Sequence, residues 1–369
     1  MRILVHEFVS GGGCAGHAVP ASLVREGLAM RTALVEDLSA IGGHEIVTTT
    51  DIRFNRPAPP GIAVVSILPG GGTLDALMGS ADAVWLVAPE TNRCLERLAA
   101  RVERKGKTLL GPGAAAIRRA SDKGNLPRRL ARAGIRHPAT LVLASGVDAR
   151  MAARRIGYPV VIKPGRGAGC QGVRLARNAR ELCWALDAAH SAGHGATHGA
   201  ARDTARSVGH DATHDAAGTS PLATKHGLVM QRYVRGRAAS VSLLADGRRA
   251  VALAVNAQRV SASSDFSYRG GSTPFDHPLA AAAVDAAVRT CAALPGLRGY
   301  VGVDVVLTDA EAVVIEVNPR LTTAYLGVRA ALDDNVAALA LAACDGILPE
   351  QPVAVRRVRF TATGQVACA

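Results

Sequence analysis

Residues 299–320 read "GYVGVDVVLTDAEAVVIEVNPR". An apolar run, a polar break and a second apolar run predict a β-hairpin, with Asp309, Ala310 and Glu311 as the turn. Pairing about that break sets Asp304 opposite Glu316. Asn318 lies two residues further on, so it shares their face. Val303, Val305, Leu307, Val313, Ile315 and Val317 then form the opposite, apolar face. Gly302, Ala312 and Val314 fall beside the acids and leave that face with little polarity of its own. Like charges directly opposite each other destabilise a sheet. The pair therefore needs a reason, and the rest of the chain supplies one.

The chain has 369 residues, enough for two or three domains with a buried core. Charged residues make up 20% and apolar residues 49%, a globular balance. No apolar run approaches the roughly 18 residues of a membrane span. The start, "MRILVHEFVSGGG", lacks the apolar stretch and cleavage site of a signal peptide, so a cytoplasmic location and no membrane partner are expected. The seven cysteines are scattered and form no C-x-x-C, which argues against a disulfide framework or a zinc site. The net charge is +13, yet aromatics are only 3%, too few for base stacking. With no nucleic-acid-binding motif either, anionic small molecules are the expected partners.

Strands are expected at residues 2–8, 44–50, 62–68, 82–88 and 107–111, with helices at 20–41, 73–79 and 92–105. That alternation predicts a parallel α/β sheet, a Rossmann-like domain over residues 1–115. A helix entered at Ser121 follows, then a strand at 158–164, a loop at 165–172, a returning strand at 173–176 and a helix near 178–190. Further strands, a helix near 278–293, the hairpin and a helix near 333–344 complete a second unit over 116–350. Within it a lid is expected at about 155–234 and a catalytic core at about 235–350, with residues 351–369 as a tail. Residues 190–227 carry the near-repeat "GHGATHGAA" and "GHDATHDAA" and few large apolar side chains. A solvated insertion is favoured there over a metal-binding tract, although His190, His194, His198, His210, His214 and His226 all fall in it.

The second informative stretch is "VVIKPGRGAGCQGVRL". Lys163 ends a strand, and Gly165, Gly167, Gly169 and Gly172 punctuate the loop behind it. Glycines let backbone N–H groups approach an anion, and a fixed lysine adds a point charge suited to phosphate. The setting is strand–loop–strand, so it is neither a P-loop nor a dinucleotide fingerprint, and an ordinary glycine-rich hairpin is the plain alternative. A G-x-G-x-x-G reading of Gly11, Gly13 and Gly16 has only Glu36 and Asp37, inside a helix, as its later acid. A nicotinamide enzyme is therefore the lesser reading.

Together these elements resemble the ATP-grasp superfamily: "SDK" (121–123), "VVIKP" (160–164) with its glycine loop, "VMQRYVRG" (229–236), and the acid hairpin ending in "EVNPR" (316–320). The likeness runs over about residues 1–345 and implies an antiparallel core with an α+β lid behind the first domain. It implies that Lys123 and Lys163 hold ATP phosphates and that the loop at 165–172 closes over them. Met230, Gln231, Arg232, Tyr233 and Val234 become the linker that reads adenine. Asp304, Glu316 and Asn318 become ligands of magnesium or manganese, and Arg320 steadies the transferring phosphate. On that reading the cation relieves the acid pair, with ATP phosphates completing its shell. Ala238 departs from the pattern, since many relatives carry a ribose-binding glutamate there.

"EFVSGGG" (7–13), "APETN" (88–92), "ASVSLL" (239–244) and "NPRLTTAY" (318–325) resemble one branch, the tyramine–glutamate ligase type. That branch implies amide formation between the γ-carboxylate of glutamate and the amine of tyramine, in making methanofuran-type cofactors. The implied partners are a small carboxylate and a small amine, and a homodimer is compatible with them. Another carboxylate–amine ligase, or a non-catalytic ATP-binding module, is the alternative. The acceptor pocket is expected where the first strand ends, near Glu7, Gly11, Gly12 and Gly13. Glu90 is a second acid of that kind. Residues 264–274 are expected as a substrate loop, with Arg269 for a carboxylate and Gly270 and Gly271 for close backbone approach.

Overall fold

The computed structural model describes residues 1–54, 60–68, 72–143, 148–167, 170–194, 227–262, 266–350, 352 and 354–369. Residues 195–226 of the His-rich insertion lie outside the described residues, as does Gly169.

Five parallel strands come first: β1 (Arg2–Glu7), β2 (Glu45–Asp51), β3 (Ala63–Ile67), β4 (Ala83–Val87) and β5 (Thr108–Leu109), in the order β3-β2-β1-β4-β5. Runs such as "AVWLV" are buried throughout, as strands of a covered parallel sheet must be. Helices α1 (Ala21–Ile41), α2 (Thr73–Ser80) and α3 (Cys94–Arg104) make the connections. The order turns at β1, whose neighbours are β2 and β4. A crevice therefore opens beyond the carboxyl ends of β1 and β4.

Then come α4 (Ala114–Ala120) and α5 (Leu126–Arg132). Ser121 does not open a helix. It closes α4, and the Asp122 carboxylate accepts the N–H groups of Gly124 and Asn125 in a turn. α5 starts only at Leu126, with Pro127 in its first turn. Lys123 is left on the turn.

An antiparallel sheet of order β6-β9-β7-β8 follows, built from β6 (Thr140–Leu143), β7 (Val160–Pro164), β8 (Arg174–Ala176) and β9 (Leu228–Arg232), with α6 (Ala149–Ile156) and α7 (Ala179–His194). The last sheet is antiparallel, of order β14-β13-β10-β11-β12-β15-β16. Its strands are β10 (Arg237–Asp246), β11 (Ala250–Ala262), β12 (Phe266–Thr273), β13 (Arg298–Leu307), β14 (Ala312–Asn318), β15 (Val358–Thr361) and β16 (Val366–Cys368). α8 (Ala280–Ala292) packs on one face through Ala283, Ala287 and Cys291. α9 (Tyr325–Ala331) and α10 (Val336–Cys344) share a second core with α1 and the first sheet.

Two segments differ from expectation. The substrate loop expected at 264–274 holds strand β12, since its residues pair with β11 and β15. The expected tail supplies β15 and β16, because Phe360 gives the chain a buried anchor there. The seven cysteines are free, and Cys14, Cys94, Cys291 and Cys344 are buried. Among the described residues no helix is long and apolar enough to cross a membrane.

Candidate active site

In the β13–β14 hairpin Asp304 stands opposite Glu316, and Gly302 opposite Asn318. The pairing then slips: Val305 faces Val314 and Leu307 faces Ala312, so Ile315 is a bulge. The turn is the four residues 308–311, closed by the Thr308 N–H donating to the Glu311 carbonyl, rather than a three-residue break. Beyond the bulge the alternation changes phase. Ala312 and Val314 join Val303, Val305, Leu307 and Val317 in the core under α8, while Val313, though buried, and Ile315 lie outside that cluster. The expected apolar face is thus corrected at those four positions, and the acid pairing is as expected.

Asp304 is held from two sides. Asn318 Nδ2 donates to Oδ2 at 3.0 Å, and Gln258 Nε2 donates to Oδ1 at 2.8 Å. Gln258 comes from β11, across β10, where Ser240 and Ala238 are short and leave it room. Nothing in the sequence singled it out beyond being polar in an apolar strand. Lys123 Nζ lies 3.1 Å from Glu316 Oε1 and 2.7 Å from the Gly167 carbonyl. Lys163, on β7, is buried.

The charges tune one another. Burial, with the Glu316 charge, pushes the Asp304 carboxyl up to about 6 against its two amide donors. Burial alone would raise Glu316 too, but the charges of Lys123 and Lys163 outweigh it and hold that group below its ordinary value. Burial, reinforced by Lys123, brings Lys163 down to about 8, with Glu316 and Asp304 opposing. Two carboxylates facing two ammonium groups and two carboxamides is a tolerable arrangement, and it answers the opening puzzle from within the chain.

Two carboxylates and the Asn318 carboxamide on adjacent strands are hard oxygen donors that suit magnesium or manganese. Among the described residues no group of three or more His, Cys, Asp or Glu side chains can hold a metal. Two carboxylates and one carboxamide are fewer donors than such an ion takes, which leaves places for phosphate and water.

The loop after Lys163 folds close to its neighbours. The Gly165 N–H donates to the Gly227 carbonyl at 2.8 Å, and a Cβ on Gly165 would sit 2.7 Å from that oxygen. Gly172 has φ +70°. Arg166 reaches Glu96 and Asp122, each at 3.7 Å. The expected adenine linker is partly committed elsewhere. Met230, Gln231 and Arg232 belong to β9, paired on both sides, and the Tyr233 N–H donates to the Pro159 carbonyl. Val234 follows outside the strand.

Arg320 is gripped by Glu90, Nε to Oε1 at 2.9 Å and Nη2 to Oε2 at 3.2 Å. That bidentate pair ties the loop after β4 to the loop after β14. Arg320 also lines a cleft of about 550 Å³, open mouth included, with Glu7, Glu26, Leu23, Met30 and Gln171. Glu7 is buried, and its oxygens accept the N–H groups of Val9 (3.1 Å) and Ser10 (2.6 Å), so it organises its own loop. Burial raises its carboxyl above the ordinary range.

The remaining candidates make no hydrogen bond or ion pair to the acid–lysine cluster among the described residues, although Gly271 pairs with Gln258. Gly11, Gly12 and Gly13 pack against the Glu7 carbonyl, Ile67 and Phe8. Arg269 is exposed on β12. Gly270 and Gly271 are glycines because Cβ atoms there would lie 2.1 Å from the Phe360 and Ala257 carbonyls, which answers to strand packing rather than to a substrate.

Three family models match consecutive stretches: a pre ATP-grasp 3 domain over residues 44–117, the carbamoyl-phosphate synthase L chain ATP binding domain over 122–202, and an ATP-grasp domain over 198–324. A tyramine–L-glutamate ligase from Methanocaldococcus fervens is 35% identical over 101 residues, 27% of this chain and 33% of the relative. The chain spans about a third of the length of the curated ligases it matches. An ATP-grasp superfamily protein from Archaeoglobus fulgidus superposes with a TM-score of 0.65 at 24% identity, covering 97% of this chain and 92% of that one. The biotin carboxylase domain of Hydrogenobacter thermophilus 2-oxoglutarate carboxylase, solved with MgADP, ADP and bicarbonate, gives 0.71 at 16% identity, covering 97% and 73%. The chain has the ATP-grasp fold, and it resembles the carboxylate–amine ligases of that fold.

Proposed function

We propose that this ATP-grasp chain is an ATP-dependent, ADP-forming ligase that joins a carboxylate to an amine through an acyl phosphate. The observation that carries the reading is the convergence of Lys123, Lys163, Asp304, Glu316 and Asn318 in one cluster, with Arg320 leading from it into the cleft. A carboxylate oxygen attacks the γ-phosphorus of ATP, and ADP leaves. The amine then attacks the acyl carbon as the carbon–oxygen bond to phosphate breaks. Lys123 and Lys163 hold the phosphates, and Arg320, kept in place by Glu90, faces the oxygens that gain charge. Asp304, Glu316 and Asn318 would hold a divalent cation, which neutralises phosphate charge when bound. Residues 230–234, with Val234 beyond the strand, are the linker assigned to the adenine edge.

For substrates, the local identity to tyramine–L-glutamate ligases supports L-glutamate and tyramine, and through them a role in methanofuran-type cofactor synthesis. The test is ADP release with ATP, magnesium and L-glutamate, with and without tyramine, and mass detection of product. A γ-glutamyltyramine mass that needs both substrates supports the narrow reading. ADP release without it keeps the ligase chemistry and redirects the search for acid and amine. No turnover would favour a binding module.

A further inference from the structure

The cleft beside Arg320 has a wall from α1. Leu23, Glu26, Gly27 and Met30 recur at helical spacing and turn one face of α1 into it. Gly27 must lack a side chain, since a Cβ there would lie 2.4 Å from Glu7 Oε2. Glu7 also lines the cleft, but both its oxygens are committed to its own loop. Glu26 is placed differently. Its Oε1 accepts a short hydrogen bond from Thr323, three residues past Arg320, and among the described residues Glu26 is in no ion pair at contact distance. The Arg320 charge acts on it at longer range. Leu23, Met30, Val9 and Val87 line the same cleft with apolar surface. A carboxylate beside apolar walls, next to the arginine expected at the reacting acyl group, suits a primary ammonium carried on an apolar body.

We propose that Glu26 is a catalytic residue for the acceptor, binding its ammonium beside Arg320 and taking the proton the nitrogen must lose before it attacks. This rests on the ligase reading above. The ammonium gives one proton to the Glu26 carboxylate. The neutral nitrogen forms the bond to the acyl carbon while the carbon–oxygen bond to phosphate breaks. The nitrogen's second proton leaves with the phosphate, which departs as hydrogen phosphate, and Glu26 returns its own proton to water. Burial raises the Glu26 carboxyl above its ordinary range, against the Thr323 hydrogen bond and Arg320, in the direction a base for this task requires.

Glu26→Gln keeps the volume and the acceptor for Thr323 and removes only the charge. Wild type and variant would be given ATP, magnesium and L-glutamate with either hydroxylamine, which is uncharged at neutral pH and needs no base, or tyramine. Hydroxamate formation by the wild type tests the ligase reading by itself. If that reading holds, the variant is expected to make hydroxamate within about twofold of wild type but amide at least about a hundredfold more slowly. The deficit should shrink as pH rises and frees the amine. Calorimetry without ATP should show tyramine binding to the wild type and not to the variant. Unchanged amide formation by the variant would overturn the assignment. Equal loss of hydroxamate and amide in a variant with a native circular dichroism spectrum would overturn it too, since Glu26 would then serve the activation step or the fold.

Discussion

Glu316 meets Lys123 on one side and Asp304 on the other, so removing its charge should disturb phosphate transfer more than folding. Glu316→Gln keeps an acceptor for Lys123. Carboxylate-dependent ADP release is expected to fall by about 10²–10³, the scale for losing one preorganised charge partner. Near-normal turnover would contradict the metal assignment. Lys163 carries a pH signature. A lysine brought down to about 8 is charged below that value and neutral above it. ATP affinity should therefore be level between about pH 6, where Asp304 takes up its proton, and about 8, and weaken as pH rises further, with Lys163→Arg extending the level region. Calorimetric titrations across that range would show it, and an affinity independent of pH would count against Lys163 as the phosphate ligand. The shared strand face of Asp304, Glu316 and Asn318 and the glycine loop behind Lys163 were legible as local patterns, whereas Lys123 entered only through the resemblance, its turn having been expected as a helix. Gln258 and Glu26 were not legible. The first reaches its partner across an intervening strand, and the second depends on where α1 lies against a loop nearly 300 residues later.

Elements were legible where one periodicity persisted. The parallel strands and the acid hairpin follow from apolar runs broken by polar turns. The Ile315 bulge was not, because one extra residue leaves composition unchanged while shifting the face of every residue on one side of it. β12 was read as a loop for a similar reason: its glycine pair looks like a flexible contact, whereas it admits β11 and β15 at close range. Gly270 has φ +106°, with the Phe360 carbonyl 2.1 Å from any Cβ. Gly270→Ala is expected to cost about 1–3 kcal/mol or more and to lower the melting temperature by several degrees. Gly79→Ala, in α2 with nothing within 4 Å of its Cβ, should be neutral or slightly stabilising. Equal melting of the two variants would contradict this account of β12.

At the scale of the whole molecule, the first sheet is less separate than a boundary near residue 115 suggests. Ile3, Val5, Leu34 and Leu38 share one buried cluster with Tyr300, Tyr325, Val336 and Ala340. Asp37 of α1 is bound by Arg329 and by the Tyr325 hydroxyl, and Glu90 by Arg320. Residues 1–115 expressed alone should therefore expose the outer face of α1 and fail to fold cooperatively. A sharp, reversible unfolding transition of that fragment would show that it needs no partner. The same contacts set the acid–lysine cluster and the crevice at the ends of β1 and β4 against each other, which is what the proposed ligase needs if an acyl group activated on one side is to meet an amine on the other. The most direct measurement is ADP release with ATP, magnesium, L-glutamate and tyramine, followed by mass analysis of the product. The account predicts release that depends on a carboxylate, with an amide as product when the amine is present. ATP left intact across a broad panel of acids and amines would contradict it.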